Sequence, residues 1–182
     1  MAAPRIGAGL DVHAFSADPD RRLVLCGVHL PAGPGLAGHS DADVGAHAVA
    51  DALLGAAALG DLGSRFGVDR PEVAGADSLG LLAAVVADVA EAGFRVGNID
   101  LTLVAARPRL APHRDAMRTN LARALEVAVD DVAVKFTTTD GLGAVGRGEG
   151  IAGWATALLV PTGGTRPGGP PVRPQEPGVA GR

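Results

Sequence analysis

The chain has 182 residues, which fits a single domain long enough to bury a hydrophobic core. Hydrophobic residues make up 47% of it and aromatic residues only 3%, with 27 glycines, so the interior must be built from Ala, Val and Leu, and one protomer is expected to be thinly packed. The formal net charge of -4 includes no long basic run, which argues against a nucleic-acid partner and leaves a small molecule as the expected ligand.

The cysteine content and the two most hydrophobic segments indicate where the protein works. Cys26 is the only cysteine, so the chain cannot form an internal disulfide, as is typical of proteins in a reducing cytoplasm. Residues 1–5 lack the apolar core of a signal peptide, and the most apolar run, 52–60, is too short to cross a bilayer. We therefore expect a cytoplasmic protein with no membrane partner.

Strands and helices are predicted along most of the chain from the period of the apolar residues. In chain order the prediction is strand 5–14, a neighbouring strand 23–30, helix 41–60, helix 78–92, strand 96–106, helix 114–125, strand 132–136 and strand 151–160. These elements make one domain, residues 1–160. Residues 161–182 are rich in Pro and Gly without an apolar period, so they are predicted to be a disordered tail.

Acidic and histidine side chains are concentrated in the first strand and the first helix. Asp11 and His13 are two residues apart and share one face of a strand, while Asp43, His47 and Asp51 are four apart and share one face of a helix that Ser40 can cap. Two imidazoles and a carboxylate would make a three-ligand zinc site with its fourth position open to substrate. The alternative is that these side chains make ordinary hydrogen bonds, since nothing in the spacing proves that Asp11 and His47 meet.

Two loops have the composition of binding segments. Residues 66–71, which follow Asp61-Leu62-Gly63, form a candidate lid, and a loop at 107–112 is held extended by its two prolines. Residues 137–140 and the glycine-rich 141–150 follow a predicted strand without a dinucleotide-binding βαβ unit, so we reject a nucleotide-binding Rossmann motif. Threonine hydroxyls, glycine amides and Arg147 still suit phosphate oxygens.

Several blocks of sequence, in this order, resemble the 2-C-methyl-D-erythritol 2,4-cyclodiphosphate synthase family, and the resemblance extends over about residues 5–160. The blocks are Gly9-Leu10-Asp11-Val12-His13, His39-Ser40-Asp41-Ala42-Asp43, Asp51-Ala52-Leu53-Leu54-Gly55-Ala56, Asp61-Leu62-Gly63, Gly75-Ala76-Asp77-Ser78 and Gly146-Arg147-Gly148-Glu149-Gly150. The resemblance implies an α/β (α+β) domain, in which helices cover one face of a mixed sheet, and a homotrimer with active sites between subunits.

The resemblance also implies the metals and the reaction. Zinc would be held by Asp11, His13 and His47, and a second cation, Mg²⁺ or Mn²⁺, by Asp140. The 2-phosphate of 4-diphosphocytidyl-2-C-methyl-D-erythritol 2-phosphate would attack its own diphosphate, releasing CMP and closing 2-C-methyl-D-erythritol 2,4-cyclodiphosphate for the non-mevalonate isoprenoid pathway. Because the attack is internal, positioning replaces a protein nucleophile.

By the same resemblance, His39 and Thr138 would stabilise the transition state, and Asp51 is expected to orient a zinc-binding imidazole. The implied substrate contacts are Asp11, Val12, His13, His39, Ser40, Asp61, Leu62, Gly63, Phe66, Gly67, Val68, Asp69, Arg70, Thr137, Thr138, Thr139, Asp140, Ala144 and Arg147. The implied cytosine contacts are Ala105, Ala106, Arg107, Pro108, Arg109, Leu110 and Ala111.

The chain departs from the family pattern at several implied site positions. Asp140 replaces the usual Glu, which makes water-mediated contact with the metal an alternative to direct ligation. Ala144 replaces Phe, which should widen the cavity on the trimer axis and weakens the case for an isoprenoid diphosphate there. Gly67-Val68 replaces Pro-Asp in the lid, and Arg109 replaces Lys and keeps its charge.

Two other functions fit the same residues. A zinc-dependent phosphoester hydrolase would use metal-bound water instead of the internal phosphate and would release a linear product. A non-catalytic nucleotide-binding oligomer would bind CMP without metal-dependent turnover.

Overall fold

A four-stranded mixed sheet lies at the centre of the structure, a computed structural model that describes residues 2–31, 33–38, 40–67 and 77–163. The helices and strands are β1 (Arg5–Ala14), β2 (Leu23–Leu25), β3 (Val28–Leu30), α1 (Val44–Ala57), α2 (Leu62–Phe66), α3 (Ser78–Glu91), β4 (Phe94–Val104), α4 (Arg114–Leu125), β5 (Val132–Thr137), α5 (Gly143–Gly146) and β6 (Gly150–Pro161). The strand order is β1-β6-β4-β5, with β4 and β5 parallel and the other two pairs antiparallel. The expected mixed α/β domain is confirmed.

The long helices pack on one face of this sheet. Helix α1 contacts β1 and β6, while α3 contacts β4 and α4 contacts β5. The interior between them is mainly Ala, Val and Leu, as the composition predicts, and Phe94 is the largest fully buried side chain. The opposite face of β1 and β6 exposes apolar side chains: Ile6, Leu10, Val12 and Trp154 are each more than half exposed.

Glycines of β1 and β6 let α1 approach the sheet closely. A Cβ on Gly7 would lie 2.0 Å from the Ala52 carbonyl oxygen, and one on Gly9 would lie 2.1 Å from that of Ala48. A Cβ on Gly153 of β6 would lie 2.7 Å from the Val44 oxygen. We call Gly7, Gly9 and Gly153 the glycine seam. On β1 the seam shares its face with Asp11 and His13, since alternate strand residues point the same way.

The predicted strand 23–30 is wrong in both extent and position. It is a tight hairpin of β2 and β3, which form a separate two-stranded sheet, and the neighbour of β1 is β6. Cys26 and Gly27 adopt φ of 50° and 68°, the left-handed pair that a two-residue hairpin turn requires. An apolar run of eight residues conceals such a turn because Cys gives no turn signal.

The predicted start of the first helix is also wrong. Helix α1 begins at Val44, and its N-cap is Asp43, whose carboxylate accepts hydrogen bonds from the Gly45 and Ala46 amides at 3.1 Å. Ser40 lies before the helix, and its hydroxyl accepts from the Ala42 amide at 3.1 Å. Asp and Ser are both strong N-cap residues, so composition alone does not choose between them.

The last strand continues slightly past residue 160, where the domain was predicted to end. Strand β6 continues to Pro161, and the Thr162 amide donates to the Gly93 carbonyl at 3.1 Å. The rest of the predicted tail, 164–182, lies outside the described residues. Within the described part of the chain, every helix is too short or too polar to span a membrane.

The glycine seam should be intolerant of even one methyl group. We expect Gly9→Ala to lower the free energy of unfolding by about 2 kcal/mol or more, because its Cβ would meet helix backbone that cannot move away. Urea unfolding followed by circular dichroism measures the change.

The matched control is Gly80→Ala on the exposed side of α3, where an added Cβ meets nothing within 4 Å. That substitution should stabilise the protein by about 0.5–1 kcal/mol through helix propensity. A Gly9→Ala protein as stable as the wild type would contradict the close approach of α1.

Candidate metal centre

The three predicted zinc ligands, Asp11, His13 and His47, converge in the structure. Asp11 Oδ2 lies 2.9 Å from His13 Nε2 and 3.0 Å from His47 Nδ1. The two ring nitrogens are 3.3 Å apart. Strand β1 supplies the first two side chains from one face, and α1 supplies the third across the glycine seam. Asp11 and His47 therefore meet in space, which their spacing in the sequence alone did not establish.

This donor set fits a small divalent cation. Ligand atoms around tetrahedral zinc lie about 2.0–2.2 Å from the ion, which puts them about 3.3 Å from one another. The observed separations of 2.9, 3.0 and 3.3 Å approach that spacing. Three ligand atoms of this kind could hold zinc and leave a fourth coordination position open. Without an ion, the two imidazole nitrogens would face each other with only one carboxylate oxygen between them.

A backbone carbonyl holds the His13 ring from behind. His13 Nδ1 lies within hydrogen-bond distance of the Ala37 carbonyl oxygen. A carbonyl oxygen only accepts, so Nδ1 carries a proton, and when the ring is neutral Nε2 presents its lone pair toward Asp11 and His47. This arrangement is typical of metal-binding histidines, whose second nitrogen donates to a fixed acceptor.

The charges of Asp11 and His13 stabilise each other. Burial tends to raise the pKa of Asp11, but hydrogen bonds with His13 and His47 outweigh burial and bring that pKa well below its ordinary value. The hydrogen bond to Asp11 raises the pKa of His13. Without a metal, the pair therefore stabilises the fold most between the ordinary carboxyl and imidazole pKa values of 3.8 and 6.5.

A cleft of about 280 Å³ opens beside the three ligands. It is lined by Asp11, His13, Gly38, Ser40, His47, Asp51, Leu62, Gly63, Phe66, Gly67 and Leu81. Most of these were expected substrate contacts, and His47 and Asp51 had other predicted roles, while Gly38 and Leu81 were not predicted because they lie outside the motif blocks. Asp61 is the N-cap of α2, and its carboxylate accepts from the Ser64 amide at 2.7 Å.

A second cleft, of about 260 Å³, brings together the predicted cytosine loop and the threonine segment. Its lining consists of Ala105, Ala106, Pro108, Arg109, Leu110, Ala111, Phe136, Thr137 and Thr138. Phe136, the last residue of a predicted strand, was not among the predicted site residues. The two clefts have no lining residue in common.

The segment after Thr138 turns back on itself. Thr138 Oγ1 donates to Asp140 Oδ1 at 3.0 Å, and Asp140 has a left-handed φ of 50°. Asp140 is therefore fixed beside the threonines of the second cleft and is not among the side chains lining the first. Arg147 pairs with Glu149 at 2.6 Å, an exposed contact of modest energy.

Asp43, His47 and Asp51, which were predicted to share one face of the first helix, do not form one site. Asp43 is buried and binds the Gly27 amide at 2.7 Å, away from the cleft. Asp51 lines the cleft, but its Oδ1 accepts from the Leu62 amide at 2.8 Å. The group nearest His47 Nε2 is instead the Ser78 hydroxyl, at 2.9 Å, which the sequence analysis missed. His39 and Val68, Asp69 and Arg70 lie outside the described residues.

The fold and the cluster define a class: a mixed α/β domain with a candidate mononuclear metal centre that is open to a cleft. A model of the YgbB family matches residues 4–160. The chain therefore belongs to the YgbB family.

Similar proteins agree with this assignment. The 2-C-methyl-D-erythritol 2,4-cyclodiphosphate synthase of Trichlorobacter lovleyi is 53% identical over 157 residues, covering 86% of this chain and 99% of that protein. The structure is similar to the bifunctional IspDF of Campylobacter jejuni (TM-score 0.82, 39% identity), covering 86% of this chain and 42% of that one. It is also similar to a CDP complex of Plasmodium falciparum IspF (TM-score 0.76, 28% identity), covering 87% and 97%.

Zinc binding should weaken as the pH falls. Zinc requires a neutral imidazole, and the raised pKa of His13 means that a proton competes with the ion at a higher pH than it would for a free imidazole. Below that pKa we expect the affinity to fall by roughly tenfold per pH unit for one displaced proton. Calorimetric zinc titrations from about pH 5 to about pH 8 measure this slope. An affinity that is flat over the range would contradict ligation by His13.

Proposed function

We propose that this chain catalyses the cyclisation of 4-diphosphocytidyl-2-C-methyl-D-erythritol 2-phosphate to 2-C-methyl-D-erythritol 2,4-cyclodiphosphate, with release of CMP, in the non-mevalonate isoprenoid pathway. Membership of the YgbB family and the relative at 53% identity over most of both chains support the activity. The single structural observation that carries the proposal is the meeting of Asp11, His13 and His47 within 3.3 Å of one another at an open cleft.

The proposed reaction is one internal phosphoryl transfer. An oxygen of the 2-phosphate forms a bond to the distal phosphorus of the diphosphate, and the bond from that phosphorus to the CMP oxygen breaks, so that CMP leaves with the electron pair. Attacking and leaving groups are both anionic, and their repulsion opposes reaction. The enzyme must therefore fold the substrate and neutralise its charge.

Two cation sites serve this purpose in the proposal. Asp11, His13 and His47 would hold Zn²⁺, and Asp140 would hold Mg²⁺ or Mn²⁺ directly or through water. Bound cations supply charge neutralisation and polarise phosphoryl oxygens. The side chains at the first site are already oriented: His13 by the Ala37 carbonyl, and His47 by contact with Asp11.

The remaining side chains bind and orient the substrate. Ser40, at the inner wall of the first cleft, positions a phosphate, and the Leu62-Gly63 turn with Phe66 holds the sugar. His39 and Thr138 stabilise the charge that develops on the transferring phosphoryl group. Backbone groups of 105–111 receive cytosine in the second cleft, a role consistent with the CDP bound by the Plasmodium falciparum relative.

A homotrimer would unite the two clefts. The metal-side cleft and the cytosine-side cleft of one chain have separate linings, and in the proposed trimer each active site combines the metal-side cleft of one subunit with the cytosine-side cleft of its neighbour. The exposed apolar face that includes Ile6, Leu10, Val12 and Trp154 offers the surface for such packing. An exposed patch of this kind is typical of an interface.

Removing the helical ligand should abolish metal binding and turnover together. We expect His47→Ala to lose bound zinc and to lower kcat by at least about a thousandfold, because a developing charge is left without its cation. Zinc content by mass spectrometry and CMP release measure the two effects.

The matched control is His29→Ala on the exposed side of β3, which removes an imidazole outside both clefts and should change neither value. A His47→Ala protein that turns over normally would remove the basis of the proposal. Phosphorus NMR of the wild-type reaction separates the rivals: a cyclic diphosphate supports cyclisation, a linear product indicates the hydrolase, and CMP binding without turnover indicates the nucleotide-binding oligomer.

The shorter carboxylate at the second site should weaken binding of its cation. We expect Asp140→Glu to lower the Mg²⁺ concentration needed for half-maximal activity by roughly three- to tenfold, since a longer side chain can replace a bridging water. Asp115→Glu, at an exposed position of α4, is the control and should have no effect. An unchanged Mg²⁺ requirement in Asp140→Glu would contradict a metal role for this residue.

A further inference from the structure

A partly buried chain of hydrogen bonds runs behind His47, on the side away from Asp11. His47 Nε2 lies 2.9 Å from Ser78 Oγ at the start of α3. Ser78 Oγ in turn donates to Asp41 Oδ1, and the Ser78 amide donates to Asp41 Oδ2 at 3.2 Å. Ser78 is only 1% exposed, so water does not compete for its hydroxyl. We name Asp41 and Ser78 the relay.

The donors and acceptors in the relay can be assigned from chemistry alone. A carboxylate only accepts, so the Ser78 O–H proton points to Asp41 and the Ser78 oxygen lone pairs are left for His47. The His47 ring then donates through Nε2–H, and in the neutral form that binds a metal this leaves the lone pair on Nδ1. Nδ1 is the atom that lies 3.0 Å from Asp11 Oδ2 and 3.3 Å from His13 Nε2.

We propose that Ser78 and Asp41 are positioning residues for metal binding: they hold the His47 ring in the Nε2–H tautomer and aim Nδ1 at the ion. The inference rests on the metal site in the proposed function. It gives His47 the same kind of support that the Ala37 carbonyl gives His13, so that both imidazoles are fixed from behind.

The relay is distinct from the ordinary capping of α3. Asp77 is the N-cap of that helix, and its carboxylate accepts from the Leu79 amide at 3.1 Å. The helix therefore has a capping side chain besides Ser78. Ser40 Oγ lies 3.3 Å from His47 Nε2, farther than Ser78 Oγ, and it accepts a hydrogen bond from the Ala42 amide.

Asp41 is itself firmly held. Its Oδ1 also accepts from the Asp43 amide at 3.3 Å, just before α1, while Oδ2 accepts from the first residue of α3. One carboxylate thus joins the starts of α1, which carries His47, and α3, which carries Ser78. An ionised Asp41 is the end of the relay, and it strengthens the Ser78 hydrogen bond because charged acceptors bind donors more tightly.

Zinc affinity, measured by competition with a chromogenic chelator, tests the proposal without depending on turnover. We expect Ser78→Ala to weaken zinc binding by roughly 10- to 100-fold, the usual effect of removing a hydrogen-bond partner from a metal-binding histidine. Ser78→Thr, which keeps the hydroxyl, should restore most of the affinity. Asp41→Asn keeps the shape of the side chain but removes its charge, and it should weaken zinc binding by an intermediate amount. This variant replaces Ser78→Ala in the test if Ser78→Ala does not fold.

Asp77→Ala is the matched control, since it removes a cap from the same helix without touching the relay. It should lower Tm but leave zinc affinity within about twofold of the wild type, as expected for a change outside the relay. Proton–nitrogen NMR of zinc-loaded protein adds a direct signature: a His47 Nε2–H protected from exchange in the wild type and lost in Ser78→Ala.

The outcomes distinguish a failure of the relay from a failure of the proposed metal site. Wild-type affinity in Ser78→Ala, or an equal loss in Asp77→Ala, would overturn the relay while leaving the metal site in place. If the wild-type protein itself binds no zinc, the proposed metal site fails.

Discussion

The close approach of α1 to β1 is the constraint on which the site depends. Along one face of β1, Gly7 and Gly9 contact the helix backbone, and Asp11 and His13 follow at the next two positions of the same face. Side chains at the two glycine positions would push the helix outward. His47 would then lose contact with the Asp11 carboxylate, because its side chain extends only a limited distance from the α1 backbone.

The position of α1 along its axis is set separately, by Asp43. That buried carboxylate caps the helix and also binds the Gly27 amide in the turn between β2 and β3. Burial raises the pKa of Asp43, and the backbone donors oppose that effect. The glycine seam fixes how near the helix lies, and this cap fixes which residue faces Asp11. An interior built mainly from small residues allows both the close approach of the helix and its capping by a buried carboxylate.

The four strands of the main sheet, the long helices and the three clustered candidate ligands could be predicted from the sequence, because each depends on local spacing or on motif blocks. The hairpin turn at Cys26-Gly27 could not, since its φ values are unusual for Cys. Asp43 was assigned to the metal face because four-residue spacing ignores helix capping. The contact of His47 with Ser78 joins residues 31 apart in sequence, and no local pattern encodes such a pair.

In the proposed site, Asp11, His13 and His47 hold one zinc ion whose remaining coordination position is open. Anomalous diffraction at the zinc edge from zinc-loaded crystals locates that ion. We expect one strong peak bound by Asp11 Oδ2, His13 Nε2 and His47 Nδ1, with a non-protein atom as the fourth ligand. A peak elsewhere, or an ion enclosed by four protein ligands, would contradict it.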